Sequence, residues 1–249
     1  MKKYDVIIME NFKKNAMAAH TARNHTRLMT LMNNKTYGSI IPKKLLREIL
    51  IPKFCETIVE YGKAPILQKR NVEVQCTPEP TNAGSDFKVK FIDRNTSTII
   101  AELECGVSIY SSDGRTYFST RISLGRTENR YSKTGNLRPV NNGPGYGTII
   151  RAFVCAASKK LGAIGVNQSS AFLSNKNKAA ALAGTLKQPV SAYIMNKLGF
   201  NKNLNRNSTK PLASHARVLY FKNVKTGSFA NLPTPALNSV MRNIMRNTF

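Results

Sequence analysis

Acidic side chains are missing from the whole second half of this sequence. The last of its 13 Asp and Glu residues is Glu128, and the 121 residues that follow contain 18 Lys and Arg. An AT-rich genome enriches Lys and Asn but does not remove Asp and Glu, so the pattern indicates selection against negative charge. Such a surface repels itself unless an anionic partner neutralises it. We therefore expect a polyanionic partner: nucleic acid first, with an anionic membrane surface or an acidic protein assembly as the alternatives.

Long apolar runs and paired cysteines are also absent. The longest apolar run, 149–157, contains Arg151 and is far shorter than the roughly 20 residues that a membrane helix needs. The N-terminal run 6–9 is too short for a secretion signal and follows Asp5. No Cys-x-x-Cys pair or neighbouring histidine suggests a zinc site, so free thiols in a reducing compartment are expected of Cys55, Cys76, Cys105 and Cys155. We expect no membrane span and an intracellular location, cytoplasmic or nucleoid/nuclear, or a place in a virion.

What the chain does contain is enough apolar material, 41% of its residues, to fill the core of one compact unit. Its spacing predicts a short strand over 3–9, helices over about 15–32 and 42–61, and a helix end at Gly62. Period-two alternation predicts four strands, around 72–74, 87–91, 98–110 and 116–124. An Asp-Gly turn joins the last two strands, so the middle of the chain is predicted to be an antiparallel meander.

Beyond residue 125 the pattern changes to loop, helix, strand and helix. The glycine-rich segment 143–147 leads into 148–161, where apolar side chains recur at helical spacing. Gly162 ends this helix, a short strand covers 163–166, and a second helix ends at Gly199 with Phe200 folding back on its last turn. A strand over 216–221 and a terminal helix from Pro235 to about 247 complete the prediction.

The three glycines of segment 143–147 fit a phosphate-binding turn. Glycines let the backbone approach a phosphate closely, and the following helix presents its N-terminal N–H groups. A tight turn that requires glycine would give the same pattern. The segment is neither a Walker loop, since no Gly-Lys-Ser/Thr follows, nor the Gly-x-Gly-x-x-Gly of dinucleotide-binding proteins.

The order of the elements resembles the GNAT N-acetyltransferase superfamily. Two short motifs carry the resemblance: Gly-Tyr-Gly at 145–147, before the predicted helix, and Asn-Lys-Leu-Gly-Phe at 196–200. In that family the first wraps the pyrophosphate of acetyl-CoA, and the second ends the helix beside the pantetheine arm. The resemblance, which covers about 85 residues up to Phe200, implies acetyl-CoA as the cofactor. The implied cofactor-binding residues are Asn142, Gly143, Gly145, Tyr146, Gly147 and Thr148.

Two positions depart from the family pattern. Asn142 stands where the family opens its phosphate loop with Gln or Arg, and Met195 stands where the family commonly has its general-acid tyrosine. Methionine cannot donate a proton to a leaving thiolate. Tyr193 is the remaining candidate for the acid, although it lies about 200° from position 195 around the helix. Cofactor binding without catalysis is the expected consequence.

Acetyl transfer also needs a base that deprotonates the acceptor amine near neutral pH, and carboxylates can do this. Glu128, just after the fourth predicted strand of the meander, is the candidate base. Glu102 and Glu104 share one face of the preceding strand and are the other carboxylates considered. An ion-paired or solvated surface carboxylate is the plainer explanation for each of the three.

These patterns together predict an α/β (α+β) fold with a GNAT-like mixed, largely antiparallel sheet flanked by helices. Residues 1–222 are expected to form one domain, and 223–249 a basic C-terminal extension with an amphipathic helix. That helix either docks on the protein's own core or packs on a neighbouring subunit, with Arg242 and Arg246 facing the polyanion.

The predicted function is that of an acyl-CoA-binding protein, catalytically degenerate and an N-acetyltransferase if it is an enzyme at all. Its cationic surface is predicted to bind nucleic acid or another polyanion. The alternative is a non-enzymatic structural nucleoprotein or virion-associated protein.

Overall fold

The computed structural model describes residues 43–79, 85–112, 115–127, 145–170, 190–202, 215–223 and 230–246. Helices α1 (Lys43–Tyr61) and α2 (Pro65–Lys69) precede four strands, β1 (Val72–Pro78), β2 (Phe87–Asp93), β3 (Thr98–Ser112) and β4 (Arg115–Thr127). The second half contains α3 (Tyr146–Lys160), β5 (Gly165–Ser170), α4 (Val190–Lys197), β6 (Asn201–Lys202), β7 (His215–Tyr220) and α5 (Pro235–Arg246).

The strands form one seven-stranded sheet in the order β1-β2-β3-β4-β5-β7-β6. Strands β1 to β4 pair antiparallel in sequence order, so the predicted meander is confirmed. Strand β5 joins parallel to β4, and β7 and β6 continue antiparallel beyond it. The fold is therefore α+β, with a mixed, largely antiparallel sheet and flanking helices, as the sequence predicts.

The helices α1 and α3 cover the same face of the sheet. Phe54 of α1 stacks on Phe87 of β2 with ring centroids 5.1 Å apart and meets Phe118 of β4 edge-on. Ser158 of α3 donates a hydrogen bond to Thr120, two residues along β4 from Phe118, at 2.8 Å. Side chains two residues apart in a strand point to the same face. The main apolar core therefore lies between these two helices and the sheet.

Glycine ends two of the helices. Gly162 after α3 and Gly199 after α4 both have a φ of +85°, a conformation that side chains rarely adopt. The next residue donates its N–H back to the helix in each case: Ala163 to the Ser158 carbonyl at 2.9 Å and Phe200 to the Met195 carbonyl at 3.0 Å. This is the glycine cap predicted from the sequence, and Phe200 is buried on the last turn of α4 as expected.

The C-terminal helix α5 packs on the protein's own core through α3. Its Leu237 and Ile244 side chains are buried. Lys159, near the end of α3, donates a hydrogen bond from Nζ to Thr234 Oγ1 at 2.7 Å, just before α5 begins. Arg242 and Arg246 are exposed on the outer surface of α5.

Several predicted elements lie outside the described residues: the strand over 3–9, the helix over about 15–32 and the polar loop between β4 and α3. No helix among the described residues is long and apolar enough to cross a membrane.

Candidate cofactor cleft

Strands β4 and β5 separate within the sheet. They pair over only three positions, and the last pair joins Ile122 to Gln168. Both strands continue past this point, because β4 pairs with β3 as far as Thr127 and β5 pairs with β7 as far as Ser170. The two parallel strands therefore leave a gap between their carboxyl ends, where ligands commonly bind in α/β sheets.

A β-bulge in β4 lies at the point of separation. Ile122 pairs with Cys105 of β3 and Leu124 with Glu104, so Ser123 is an extra residue in β4. A bulge bends its strand and increases the local twist. Because this bulge immediately follows the last β4–β5 pair, it turns β4 away from β5 and accounts for the gap.

Helix α3 runs along the β4–β5 seam with its N-terminus toward the gap. Ser158 contacts Thr120 at the first parallel pair, and Arg151, two turns earlier, donates from Nε to Gln168 Oε1 at the last pair, at 3.1 Å. Gly147 lies four residues before Arg151, which is about 6 Å further along the helix axis at 1.5 Å per residue. The first turn of α3 therefore extends past the last β4–β5 pair.

The described part of the predicted glycine turn, residues 145–147, lies at the start of this helix. Gly145 has extended backbone angles and is the N-cap of α3, and its carbonyl accepts the N–H groups of Thr148 at 2.8 Å and Ile149 at 3.2 Å. Apart from its two chain neighbours, no described residue has an atom within 4 Å of the place where a Cβ on Gly145 would be, whereas Gly147 and Thr148 are buried. The first N–H groups of a helix have no acceptor within it, and the helix dipole makes that end attractive to phosphate.

Arg151 places a buried cation directly behind this turn. Its side chain is 4% exposed, and Nη1 donates to the Gly147 carbonyl at 3.0 Å. Burial lowers the pKa of its guanidinium to about 10, so the group remains charged at neutral pH. No ion pair between described residues includes it. The guanidinium and the helix N-terminus together make this end of the gap electropositive.

Sequence reasoning missed Arg151 and Gln168 as site residues. In the sequence, Arg151 was interpreted only as evidence against a membrane-spanning helix. An arginine inside a helix whose other residues are nearly all apolar was the available signal, because a charge in such a place is buried and has a structural or functional reason.

Tyr146, one of the implied cofactor-binding residues, packs on the protein. Its ring meets Phe91 of β2 edge-on at 6.5 Å, and the Arg70 guanidinium carbon lies 5.4 Å from the ring centroid. These contacts anchor the start of α3 on the sheet. The tyrosine ring therefore packs against side chains of the protein, which leaves the backbone N–H groups of the turn as the candidates for contact with a phosphate.

The catalytic candidates that the structure describes lie on two elements, Tyr193 on α4 and Glu102 and Glu104 on β3. Tyr193 is 43% exposed, while Met195, at the position of the family's tyrosine, is fully buried. Glu104 of β3 lies with its carboxylate 3.6 Å from Lys88 Nζ, as part of an ion pair on the sheet. The other predicted site residues, Glu128, Asn142 and Gly143, lie outside the described residues.

Within the part of the chain that the structure describes, no three His, Cys, Asp or Glu side chains group in a way that could hold a metal ion. Neither a scan against protein-family models nor a search of the curated proteins finds a match to this chain.

Proposed function

We propose that this protein binds an acyl-CoA thioester, acetyl-CoA in the first instance, in the gap between β4 and β5. The observation that carries the proposal is the parallel β4–β5 pair, which ends at Ile122 and Gln168 under the glycine turn of α3. In this arrangement the pyrophosphate lies on the N–H groups of residues 145–148 and the pantetheine arm extends between the separated strands. This is the arrangement that the GNAT resemblance implies.

The positive charge around the glycine turn and the open space beside Gly145 support the binding of an anionic ligand there. The N-terminal end of α3 and the buried Arg151 guanidinium are both positive, and no described carboxylate pairs with Arg151. The described residues beyond its chain neighbours leave open space where a side chain on Gly145 would stand. A pyrophosphate can occupy that space and replace the missing counter-charge.

The same arrangement argues against efficient acetyl transfer. Met195 is buried in the core and has no proton to donate. Tyr193 is two residues away and points about 200° around α4 from that position. We therefore propose cofactor binding as the retained property, with transferase activity weak or lost.

Thermal unfolding with saturating acetyl-CoA tests the proposal. A ligand that binds only the folded state raises the melting temperature by mass action, and 100 times Kd contributes about 2.7 kcal/mol. Gly145→Val should abolish the increase and stay folded, because a Cβ there meets no atom of the described residues beyond its chain neighbours within 4 Å. Thr77→Val, the same side chain at an exposed position of β1, is the matched control and should keep the increase. A wild-type melting curve that acetyl-CoA leaves unchanged would refute cofactor binding.

The second candidate function is nucleic-acid binding by the cationic second half of the chain. This function is compatible with a cofactor site, and it is also the function of the alternative, a structural nucleoprotein that binds no cofactor. Among the described residues from Gly145 onward there are basic side chains and no acidic ones. Dispersed charge of this kind suits contact with phosphates without base recognition. The exposed basic residues of this part are Lys160, Lys197, Arg242 and Arg246.

A fluorescence anisotropy titration with single- and double-stranded oligonucleotides of mixed sequence tests this function. Affinity should fall linearly on a log–log plot as salt rises, with little dependence on sequence. Arg242→Gln with Arg246→Gln should reduce the salt slope by about two, one for each phosphate contact. Absence of binding at low salt, or binding that ignores salt, would refute it.

A further inference from the structure

A second cavity lies away from the cofactor gap. Its volume is about 330 Å³, and its walls come from the start of α1, the residues before β2 and the middle of β3 and β4. The residues that matter for its chemistry are Arg47, Ser85, Asp86, Gly106, Ser108 and Arg121. The glycine turn, Arg151 and Gln168 of the cofactor cleft contribute nothing to this lining.

Two residues of the lining, Gly106 and Arg121, lie on the face of the sheet opposite α3. Gly106 and Arg121 are paired across β3 and β4. Arg121 precedes Ile122 and follows Thr120, the residue that contacts α3, so its side chain points to the other face. The sheet therefore separates the Arg121 side chain from α3.

Gly106 provides the space at the bottom of the cavity. A Cβ on this residue would lie 3.5 Å from Asp86 Oδ2 and 3.6 Å from Arg121 Nη2. The carboxylate and the guanidinium therefore both lie over the glycine. Any larger side chain at this position would extend into the volume between them.

Next to the cavity, the backbone of β3 forms hydrogen bonds with side chains instead of with a neighbouring strand. Strand β2 begins at Phe87, opposite Cys105, and does not reach Val107. Asp86 Oδ2 accepts the Val107 N–H at 2.6 Å, and Arg47 Nη2 donates to the Val107 carbonyl at 3.0 Å. These bonds hold Arg47 and Asp86 in place at one side of the cavity.

The lining of the cavity carries a net positive charge. Two arginines face one carboxylate, which gives the lining a net charge of +1. Asp86 already accepts the Val107 N–H, and its Oδ1 is 3.6 Å from Arg47 Nε, too long for a hydrogen bond. Arg47 Nε is buried and has no hydrogen-bond partner among the described residues. A buried donor without an acceptor is costly, and a ligand oxygen would relieve that cost.

We propose that this cavity is a binding site for a small oxyanion, the phosphate or carboxylate group of a ligand, held by Arg47 and Arg121. Planar guanidinium groups bind such oxygens with short, charge-assisted hydrogen bonds. The Ser108 hydroxyl is a further donor in the lining. The volume of about 330 Å³ lies at the lower end of the range for small-molecule sites. The proposal stands without the cofactor site, because the lining of the cavity includes none of the residues proposed to bind the cofactor.

Nuclear magnetic resonance of the ¹⁵N-labelled full chain tests the site. Inorganic phosphate and acetate are titrated separately, with chloride adjusted to keep the ionic strength constant. The expected result is a saturable shift of the Gly106 and Val107 amides. A response to phosphate alone identifies a phosphate ester as the ligand class, and an equal response to acetate identifies any oxyanion.

Variants separate this site from the general attraction of a cationic protein for anions. Arg121→Gln should weaken binding about tenfold, and Gly106→Val should block it by filling the cavity. Arg94→Gln removes the same charge from an exposed position just after β2 and should change Kd less than about twofold. If Gly106→Val does not fold, binding by Arg121→Gln, a change at an exposed residue, is the deciding measurement. Equal weakening by Arg121→Gln and Arg94→Gln, or no saturable shift at Gly106 and Val107, would overturn the proposal.

Discussion

Arg151→Met is the substitution that best separates cofactor binding from stability. Methionine keeps an unbranched side chain of similar length and removes the charge. The change deletes the bonds from the guanidinium to Gln168 Oε1 at 3.1 Å and to the Gly147 carbonyl at 3.0 Å. It also removes a cation that burial destabilises, as the lowered pKa of Arg151 indicates.

The two effects on stability oppose each other. Leaving the buried Gln168 oxygen without a donor costs about 1–3 kcal/mol. Relief from burying an uncompensated cation acts in the other direction, and replacing buried charges by apolar side chains is often neutral or stabilising. We therefore expect the free energy of unfolding to change by less than about 2 kcal/mol.

Cofactor affinity should change much more. Arg151 Nη1 lies 3.0 Å from the carbonyl oxygen of Gly147, in the first turn of α3. A phosphate on the N–H groups of that turn would be about 7 Å from the guanidinium, roughly one helical turn away. With an effective dielectric constant of about 20, one pair of unit charges at that distance contributes about 2 kcal/mol, or about 30-fold in Kd.

Isothermal titration calorimetry measures the Kd for acetyl-CoA, and urea denaturation of the same preparation measures the free energy of unfolding. Arg242→Met, which removes an exposed arginine of α5, is the matched control and should bind nearly as the wild type does. An Arg151→Met variant that is stable and binds acetyl-CoA within twofold of the wild type would refute the role of the buried cation in binding.

Three further predictions concern stability. Phe54→Ala removes a fully buried ring that contacts two other phenylalanines, so urea denaturation should show a loss of about 3–5 kcal/mol. The Cys55 and Cys76 sulfurs are 2.9 Å apart, so the thiol oxidant diamide should join them in one disulfide and be reduced to its hydrazide. Mass spectrometry of the peptides should detect this disulfide, and Tm should rise because the disulfide adds about 3 kcal/mol to the free energy of unfolding. Truncation after Leu232 removes α5 with its two buried side chains, so the monomer should lose about 3–6 kcal/mol; a monomer of unchanged Tm would show that α5 packs elsewhere.

Local features of the chain were predictable because neighbouring residues decide them. Alternating side chains predicted the four strands of the meander, and apolar spacing predicted α1 and α3 to within a few residues. Gly162 and Gly199 adopt the positive φ that only glycine tolerates readily, so their places at helix ends could be inferred from sequence alone. The short elements α2 and β6 were missed, because five- and two-residue elements carry almost no periodicity.

The features that form the two candidate sites were decided only by tertiary structure. The bulge at Ser123 depends on how β4 pairs with β3, and alternation within β4 alone does not reveal one extra residue. The contact between Arg151 and Gln168 joins a helix to the following strand, and Arg47 reaches Val107, 60 residues further along the chain. Such contacts depend on strand register and helix placement, which the whole core determines together. The sequence by itself determined which segments are helices and strands and where the positive charge lies, whereas only packing determined which of those charges face a cavity.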